Sequence, residues 1–325
     1  MKNKKKLIIS VVVLIVVIAS ALALYFTRYC WDINDTEEFF RQNAAEVGYE
    51  NTIEEAYPQT DLYKIIKDHF EGDLPEGKTE KKVVIIGYDG CRADILNEKQ
   101  DKGAVSYLLE KGASINLTYC GGVNFPEKNT QDTSTAPGWC SIVTGEWADV
   151  TGITGNGITK AVEPKTLMTS LVENGTIDSS AFITRWKGHF TNDDSTYIAE
   201  KEYCEEKKLD VEFALRKDNA DVHIGAMEEI ESEACSDFVF IIYEDTDSAG
   251  HDYGFTYNNP KYKDAFKTED AYGYEVIKAI EARATYDTED WLIIVTSDHG
   301  GVRTGHGNKS IQERMTFVVM NKEWD

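Results

Sequence analysis

The stretch Val83-Val84-Ile85-Ile86-Gly87-Tyr88-Asp89 is an apolar run that ends in a carboxylate, and its pattern decides the fold. Two later runs have the same form: Phe238–Tyr243 leads into Glu244, and residues 292–297 lead into Asp298. Apolar runs of this length are typical of buried strands. From Val83 onward they alternate with helical patterns, as in a mostly parallel central sheet with helices on both faces. The sequence therefore predicts an α/β fold.

Acidic and histidine side chains stand close behind these three runs. They are Asp89, Asp247, His251, Asp298, His299 and His306. In an open α/β sheet, ligands bind outside the carboxyl ends of the strands. Three aspartates and three histidines gathered there would offer oxygen and nitrogen ligands for two divalent metal ions. The pattern predicts a metal-dependent hydrolase. We expect the other three histidines, His69, His189 and His223, to be surface or packing residues.

A candidate nucleophile lies in residues 132–145, between the first and second runs. Pro137 suits the first turn of a helix, and Gly145 suits its end. A hydroxyl just ahead of a helix N-terminus faces free backbone N–H groups, which stabilise a phosphate or a developing alkoxide. Thr135 is therefore the candidate, with the two hydroxyl residues before it as alternatives. Taken alone, Thr135 would be interpreted more simply as a helix N-cap.

The N-terminal 28 residues differ from the rest of the chain. Four lysines precede Leu7, and residues 7–26 are apolar apart from two serines. A helix of that length spans roughly 30 Å, the thickness of a bilayer core. We predict a single transmembrane helix with its lysine-rich end inside and the catalytic domain outside. The alternative is a cleaved signal peptide, since Ala19-Ser20-Ala21 is a small-x-small site. Both interpretations export the domain, either held at the cell membrane or secreted.

The chain divides into three regions on these patterns. Residues 1–28 form the anchor or signal peptide, and residues 81–325 form the catalytic domain. Residues 29–80 are predicted to be a helical stalk or packing arm, with helices that begin after Thr36 and Thr60. Residues 187–236 are acidic and show no strong strand pattern, so we expect helices there.

Charge and cysteine content limit the partners and the covalent structure. The formal net charge is −23, and residues 1–28 hold five basic and no acidic side chains, which leaves −28 for the remainder. Without a basic stripe for phosphate contacts, we expect no binding of duplex nucleic acid. Six cysteines in an exported chain permit up to three disulfides, and the sequence does not decide the pairing.

The chain resembles the alkaline phosphatase superfamily, and most closely its type I phosphodiesterase/nucleotide pyrophosphatase family. The resemblance is carried by Gly87-Tyr88-Asp89-Gly90, Thr135-x-Pro137, Ser141-Ile142-Val143-Thr144-Gly145, Gly152-Ile153 with Asn156, Trp186-x-Gly188, Asp247-x-x-Gly250-His251, Ser297-Asp298-His299-Gly300 and Gly305-His306-Gly307. These motifs stand in the family's order over about residues 81–320. The resemblance implies an alkaline phosphatase-like fold and an exported two-zinc enzyme that hydrolyses small-molecule phosphate esters.

The resemblance also implies roles for single residues. One zinc ion would be held by Asp247, His251 and His306. A second would be held by Asp89, Asp298 and His299, with Thr135 Oγ as its further ligand. Thr135 would attack phosphorus and form a phosphothreonine. Asn156 and Lys187 would contact the substrate.

The chain departs from the family pattern beside the nucleophile. Gly138 stands where the family usually has Asn, so a donor to a phosphoryl oxygen is missing. By sequence, Arg92, Arg185 and Lys187 are the only candidate cations near Thr135. A monoester carries an extra negative charge that calls for such cations, so we predict a phosphodiesterase.

Other functions remain open at this point. Among enzymes, a phosphomonoesterase and a cell-envelope phosphoglycerol transferase share the fold. A sulfatase is disfavoured because its Cys/Ser-x-Pro-x-Arg motif is absent. Outside the enzymes, the alternative is a non-catalytic surface-binding relative.

Overall fold

An eight-stranded sheet forms the centre of the fold. The computed structural model describes residues 2–29, 34–47, 56–121, 131–157 and 162–324. The strands are β1 (Tyr57–Pro58), β2 (Glu80–Tyr88), β3 (Ile115–Tyr119), β4 (Ser180–Thr184), β5 (Val211–Leu215), β6 (Phe238–Tyr243), β7 (Glu289–Thr296) and β8 (Met315–Met320). Their order across the sheet is β1-β3-β8-β7-β2-β6-β4-β5. All neighbours pair in parallel except β8, which is antiparallel to β3 and β7. The predicted α/β fold with a mostly parallel sheet is confirmed.

Helices connect the strands and cover the sheet. The α-helices of the described residues are α1 (Lys2–Tyr29), α2 (Glu37–Ala45), α3 (Asp61–Glu71), α4 (Ala104–Glu110), α5 (Thr135–Thr144), α6 (Ala148–Thr151), α7 (Leu167–Glu173), α8 (Ile198–Lys207), α9 (Asn219–Glu231), α10 (Asp245–Tyr253), α11 (Pro260–Glu281) and α12 (Ile311–Arg314). Residues Ala93–Asn97 and Tyr286–Thr288 form short 3₁₀ helices.

The central strands β7, β2 and β6 are buried on both faces, which explains their uninterrupted apolar sequences. Successive side chains of a strand point to opposite faces of the sheet. Val84 and Ile86 of β2 belong to a core cluster with α4, α9 and α11. Val83 and Ile85 belong to a second cluster with α3, α5 and α7. Helices therefore pack on both faces, as predicted.

Two expectations about single regions differ from the structure. Among the residues whose side chains the structure describes, which exclude several of α1, no helix has the length and apolarity that crossing a bilayer requires. The predicted transmembrane helix is therefore not supported. Residues 187–236 contain α8 and α9 as expected, but also β5, which pairs with β4 at the edge of the sheet. Three of its five residues are only half-buried, so it lacks the apolar run that marks the central strands.

Residues 34–47 pack onto the catalytic domain. The Arg92 guanidinium, which is fully buried, lies 2.8 Å from Asp35 Oδ2 and 5.1 Å from the centre of the Phe40 ring. The helix α2 starts after Thr36, whose hydroxyl accepts a hydrogen bond from the Phe39 N–H. These contacts join the segment to the residues that follow β2. Residues 48–55, which complete the connection to β1, lie outside the described residues.

Five of the six cysteines lie in the described residues and all are buried. They are Cys91, Cys120, Cys140, Cys204 and Cys235, and none forms a disulfide with another. Cys30 lies outside the described residues. The structure therefore supports no disulfide among the cysteines it describes.

Candidate active site

The parallel strands β2, β6 and β7 end at one edge of the sheet and bring the predicted acidic residues there. Asp89 directly follows β2, and Asp298 lies two residues beyond β7. The helix α10 begins immediately after Glu244 at the end of β6 and carries Asp247 in its first turn. Asp89 and Asp298 are almost completely buried. The sheet topology thus explains why Asp89 meets carboxylates that are more than 150 residues away in sequence.

One group of possible metal ligands consists of Asp89, Asp298 and His299. Their ligand atoms all lie within 4.8 Å of one another. His299 Nε2 is 3.6 Å from Asp89 Oδ1 and 3.4 Å from Asp298 Oδ2. The Thr135 hydroxyl donates to the same Asp89 oxygen over 3.4 Å. These are the three residues that the resemblance assigned to the second metal, together with the proposed nucleophile.

The second group of ligands consists of Asp247, His299 and His306, again within 4.8 Å. His306 Nε2 lies 3.6 Å from Asp247 Oδ1. His251, which the resemblance assigned to this metal, also points here: its Nε2 is 3.3 Å from Asp247 Oδ2 and 3.1 Å from His306 Nε2. Asp247 and His251 are four residues apart on α10 and so share one face of the helix. The difference from the expected set is that His299 lies within reach of both groups.

Backbone carbonyls hold the three histidines in the orientation that a metal ligand needs. His251 Nδ1 lies 3.1 Å from the Thr304 carbonyl oxygen, and His306 Nδ1 lies 2.9 Å from that of Thr133. His299 Nδ1 lies 2.7 Å from the Gly300 carbonyl oxygen. Because a carbonyl can only accept, each Nδ1 donates its proton when the ring is neutral. Each Nε2 then keeps a free lone pair that faces the carboxylates.

The electrostatics of the cluster favour a bound cation. Burial, followed by the nearby carboxylates, raises the pKa of Asp89 well above its usual value, and burial also raises that of Asp298. Burial lowers the pKa of His299 and His306 to about 3, so both rings are neutral near pH 7. The hydrogen bond with Asp247 raises the pKa of His251 to about 9. Carboxylates crowded together away from water are stabilised by a positive ion.

Unpaired buried atoms show that a metal fits this site. Asp247 Oδ1, Asp298 Oδ2 and His299 Nε2 are buried and have no hydrogen-bond partner among the described residues. A buried polar atom without a partner costs about 1–3 kcal/mol. All three atoms are metal-ligand types and converge on the same space. Divalent ions there would satisfy them, and this observation supports the predicted two-metal site.

The nucleophile candidate lies at the start of α5. Thr135 is the first residue of this ten-residue helix, and Ser134 occupies the N-cap position. The simpler interpretation of Thr135 as an N-cap therefore does not describe its position. Within the part of the chain that the structure describes, Ser134 makes no capping hydrogen bond and its buried hydroxyl has no partner. Of the two hydroxyls, it is Thr135 that contacts Asp89.

Of the two predicted substrate-binding residues, Asn156 lies beside Thr135, whereas Lys187 is exposed. Asn156 Oδ1 accepts a hydrogen bond from the Ala136 N–H at 2.8 Å, so its amide is held at the N-terminus of α5 beside Thr135. Lys187 is exposed. Its carbonyl oxygen accepts bonds from the Thr191 N–H and the Ser195 hydroxyl. In the described contacts, the Lys187 ammonium group is not brought to the cluster.

A family model described as type I phosphodiesterase/nucleotide pyrophosphatase matches residues 83–315. The match covers well over half of the chain and includes every candidate site residue. The chain belongs to this family. The resemblance seen in the motifs is confirmed; members of this family hydrolyse phosphoester bonds.

Two solved structures are similar to part of this chain. Murine ectonucleotide pyrophosphatase/phosphodiesterase 5 is 20% identical over 68% of this chain and 57% of its own, with a TM-score of 0.47. Phosphonoacetate hydrolase from Sinorhizobium meliloti is 14% identical over 71% of this chain and 58% of its own, with a TM-score of 0.42. A search of curated proteins gives no match. The chain thus spans less than two thirds of the length of these two structures.

Gly138, where family members usually have Asn, packs against Asp298, one of the candidate metal ligands. A Cβ at this position would lie 2.8 Å from the Asp298 carbonyl oxygen and 2.9 Å from Asp298 Cβ. A side chain here would therefore collide with Asp298. We attribute the departure from the family pattern to the close approach of α5 and the loop after β7.

Sequence reasoning missed one residue that contacts the cluster. The Trp139 indole N–H donates to Asp89 Oδ2 over 2.9 Å, and the side chain is fully buried. Trp139 lies four residues after Thr135, which places both on one face of α5. That spacing was available in the sequence. The partner was not, because Asp89 is 50 residues away.

Proposed function

We propose that this member of the family hydrolyses phosphodiesters, with two divalent metal ions and Thr135 as the nucleophile. The observation that carries the proposal is the position of Thr135: its oxygen lies at a helix N-terminus and 3.4 Å from Asp89 Oδ1. Asp247, His251 and His306 would hold one ion, and Asp89, Asp298 and His299 the other. The Asp and His ligands favour zinc.

Thr135 and Asn156 have different roles in the proposed reaction. When bound, such ions supply positive charge that favours an ionised hydroxyl and neutralises phosphoryl oxygens. Thr135 Oγ attacks phosphorus in line, the bond from phosphorus to the leaving alcohol breaks, and a phosphothreonine results. Water then cleaves this ester and restores the hydroxyl. Asn156 accepts from Ala136 through Oδ1, which leaves its Nδ2 group as a donor for a phosphoryl oxygen.

The two candidate arginines are already ion-paired, which supports a diester substrate rather than a monoester substrate. Arg92 is fully buried, and Asp35 and Asp94 each lie 2.8 Å from its guanidinium. The Arg185 guanidinium donates to the Glu244 carbonyl oxygen and lies 3.2 Å from Asp245. Both cations already have carboxylate partners, so neither is available to balance the extra charge of a monoester.

A paired assay tests the proposal. Purified protein is supplied with zinc and given an aryl phosphodiester, the matching monoester and a nucleotide in separate reactions. We expect a higher kcat/KM for the diester, and we expect Thr135→Ala to remove turnover while the protein keeps its metal. A clear monoester preference that is lost in Lys187→Ala would make the protein a phosphomonoesterase. Full activity in Thr135→Ala would refute the nucleophile.

The location of the enzyme stays a prediction of its N-terminal sequence. Export of the catalytic domain follows from the lysine-rich start and the apolar residues behind it. Mass spectrometry of the mature N-terminus and protease treatment of intact cells would test it. Protection of the domain from protease in intact cells would contradict export.

A further inference from the structure

The indole N–H of Trp139 is hydrogen-bonded to one of the two carboxylate oxygens of Asp89. Its N–H donates to Oδ2 over 2.9 Å, while Oδ1 faces the Thr135 hydroxyl at 3.4 Å and His299 Nε2 at 3.6 Å. A hydrogen bond to an ionised carboxylate is roughly twice as strong as one between neutral groups. The two oxygens of this carboxylate therefore have different surroundings, and only Oδ1 faces the other ligand atoms.

The fold holds the indole in this position from two sides. Its ring packs across Gly87 of β2, where an added Cβ would lie only 2.4 Å from Trp139 Cη2. On another side it makes an edge-on contact with Phe240 of β6, with 5.5 Å between the ring centres. An indole fits here because residue 87 has no side chain. Gly87 and Phe240 thus leave the ring little freedom to turn its N–H away from Asp89.

We propose that Trp139 is a positioning residue that turns Asp89 so that Oδ1 alone serves as the metal ligand. The inference rests on the proposed function, because it assigns an orientation to a ligand of the second ion. Since Thr135 and Trp139 lie one turn apart on α5, the same rigid helix sets the position of the nucleophile and the direction of the ligand. In this role Trp139 acts through Asp89.

Two variants remove the N–H with different effects on packing. Trp139→Phe removes the donor and part of the ring, and replacement of Trp139 by 3-benzothienylalanine removes the donor while keeping the bicyclic shape. Phe240→Leu is a milder companion variant, because it loosens the packing against the indole but leaves the N–H in place. Zinc affinity is measured at equilibrium by competition with a chromogenic chelator, so the readout does not depend on turnover.

Loss of a hydrogen bond to a metal ligand typically costs 10–100-fold in metal affinity. In both Trp139 variants we expect the affinity for one of the two zinc ions to fall by about that factor. In Phe240→Leu the affinity should fall less. Unchanged zinc affinity in the benzothienylalanine variant would overturn the role of Trp139. A wild-type protein that binds no zinc would overturn the proposed function as well, so the two failures are distinguishable.

Discussion

Replacing Gly138 by Ala should destabilise the protein and weaken its metal site. The added methyl group would lie 2.8 Å from the Asp298 carbonyl oxygen and 2.9 Å from Asp298 Cβ, closer than such atoms approach in proteins. The nearest atoms are the Asp298 main chain and its Cβ, which cannot swing away as the end of a long side chain can. Either α5 or the loop after β7 must therefore shift, and that loop carries Asp298 and His299.

Two opposing terms determine the size of the effect. Ala is better than Gly inside a helix by about 1 kcal/mol. Overpacking a tight core costs about 1–3 kcal/mol, and a backbone neighbour favours the upper end of that range. The net destabilisation is then about 2 kcal/mol. In a domain of this size, that lowers the midpoint of thermal unfolding by about 4–8 °C.

Thermal unfolding followed by circular dichroism, with zinc and with chelator, measures the effect. Gly225→Ala in α9 is the matched control, because the atoms that its methyl group would meet belong to the guanidinium end of Arg216, which can move. The control should be neutral or slightly stabilising. If Gly138→Ala unfolds at the wild-type temperature and keeps the wild-type zinc affinity, the close approach of α5 to Asp298 does not exist as described.

Three further predictions concern the site and the core. Chelation should abolish turnover and lower the unfolding temperature, because Asp89 and Asp298 are buried side by side; elemental analysis that finds no metal, with activity undiminished in chelator, would contradict this. Ser134→Ala should keep most activity, since its hydroxyl has no hydrogen-bond partner; an inactive Ser134→Ala beside an active Thr135→Ala would move the nucleophile by one residue. Burial raises the pKa of Asp270 from 3.8 to about 6. Its contribution to stability is therefore full below pH 3.8 and is lost as the pH rises through 6. Between pH 4 and 7, the free energy of unfolding measured in urea should fall by on the order of 2–3 kcal/mol more in the wild type than in Asp270→Asn. Equal pH dependence of the free energy of unfolding in the two proteins would refute this.

The central strands were predictable from sequence because burial on both faces leaves a strong local signal. Every residue of β6 and all but two of β2 are buried, so apolar side chains follow one another without interruption. The edge strand β5 carries no such signal, since its half-exposed side chains tolerate charged residues. Residues 187–236 were therefore expected to be helical. The antiparallel direction of β8 was also not predictable from its local sequence.

The active site was likewise predictable only in part from the sequence. Sequence alone determined which residue types could bind metal and that strand ends would gather them, because parallel strands end at one edge of a sheet. Only the tertiary structure decided that His299 reaches both ligand groups, that Trp139 holds Asp89, and that Gly138 abuts Asp298. Each of these contacts joins elements that are distant along the chain. Local patterns specify which side of an element is buried, whereas the packing of whole elements decides which atoms meet there.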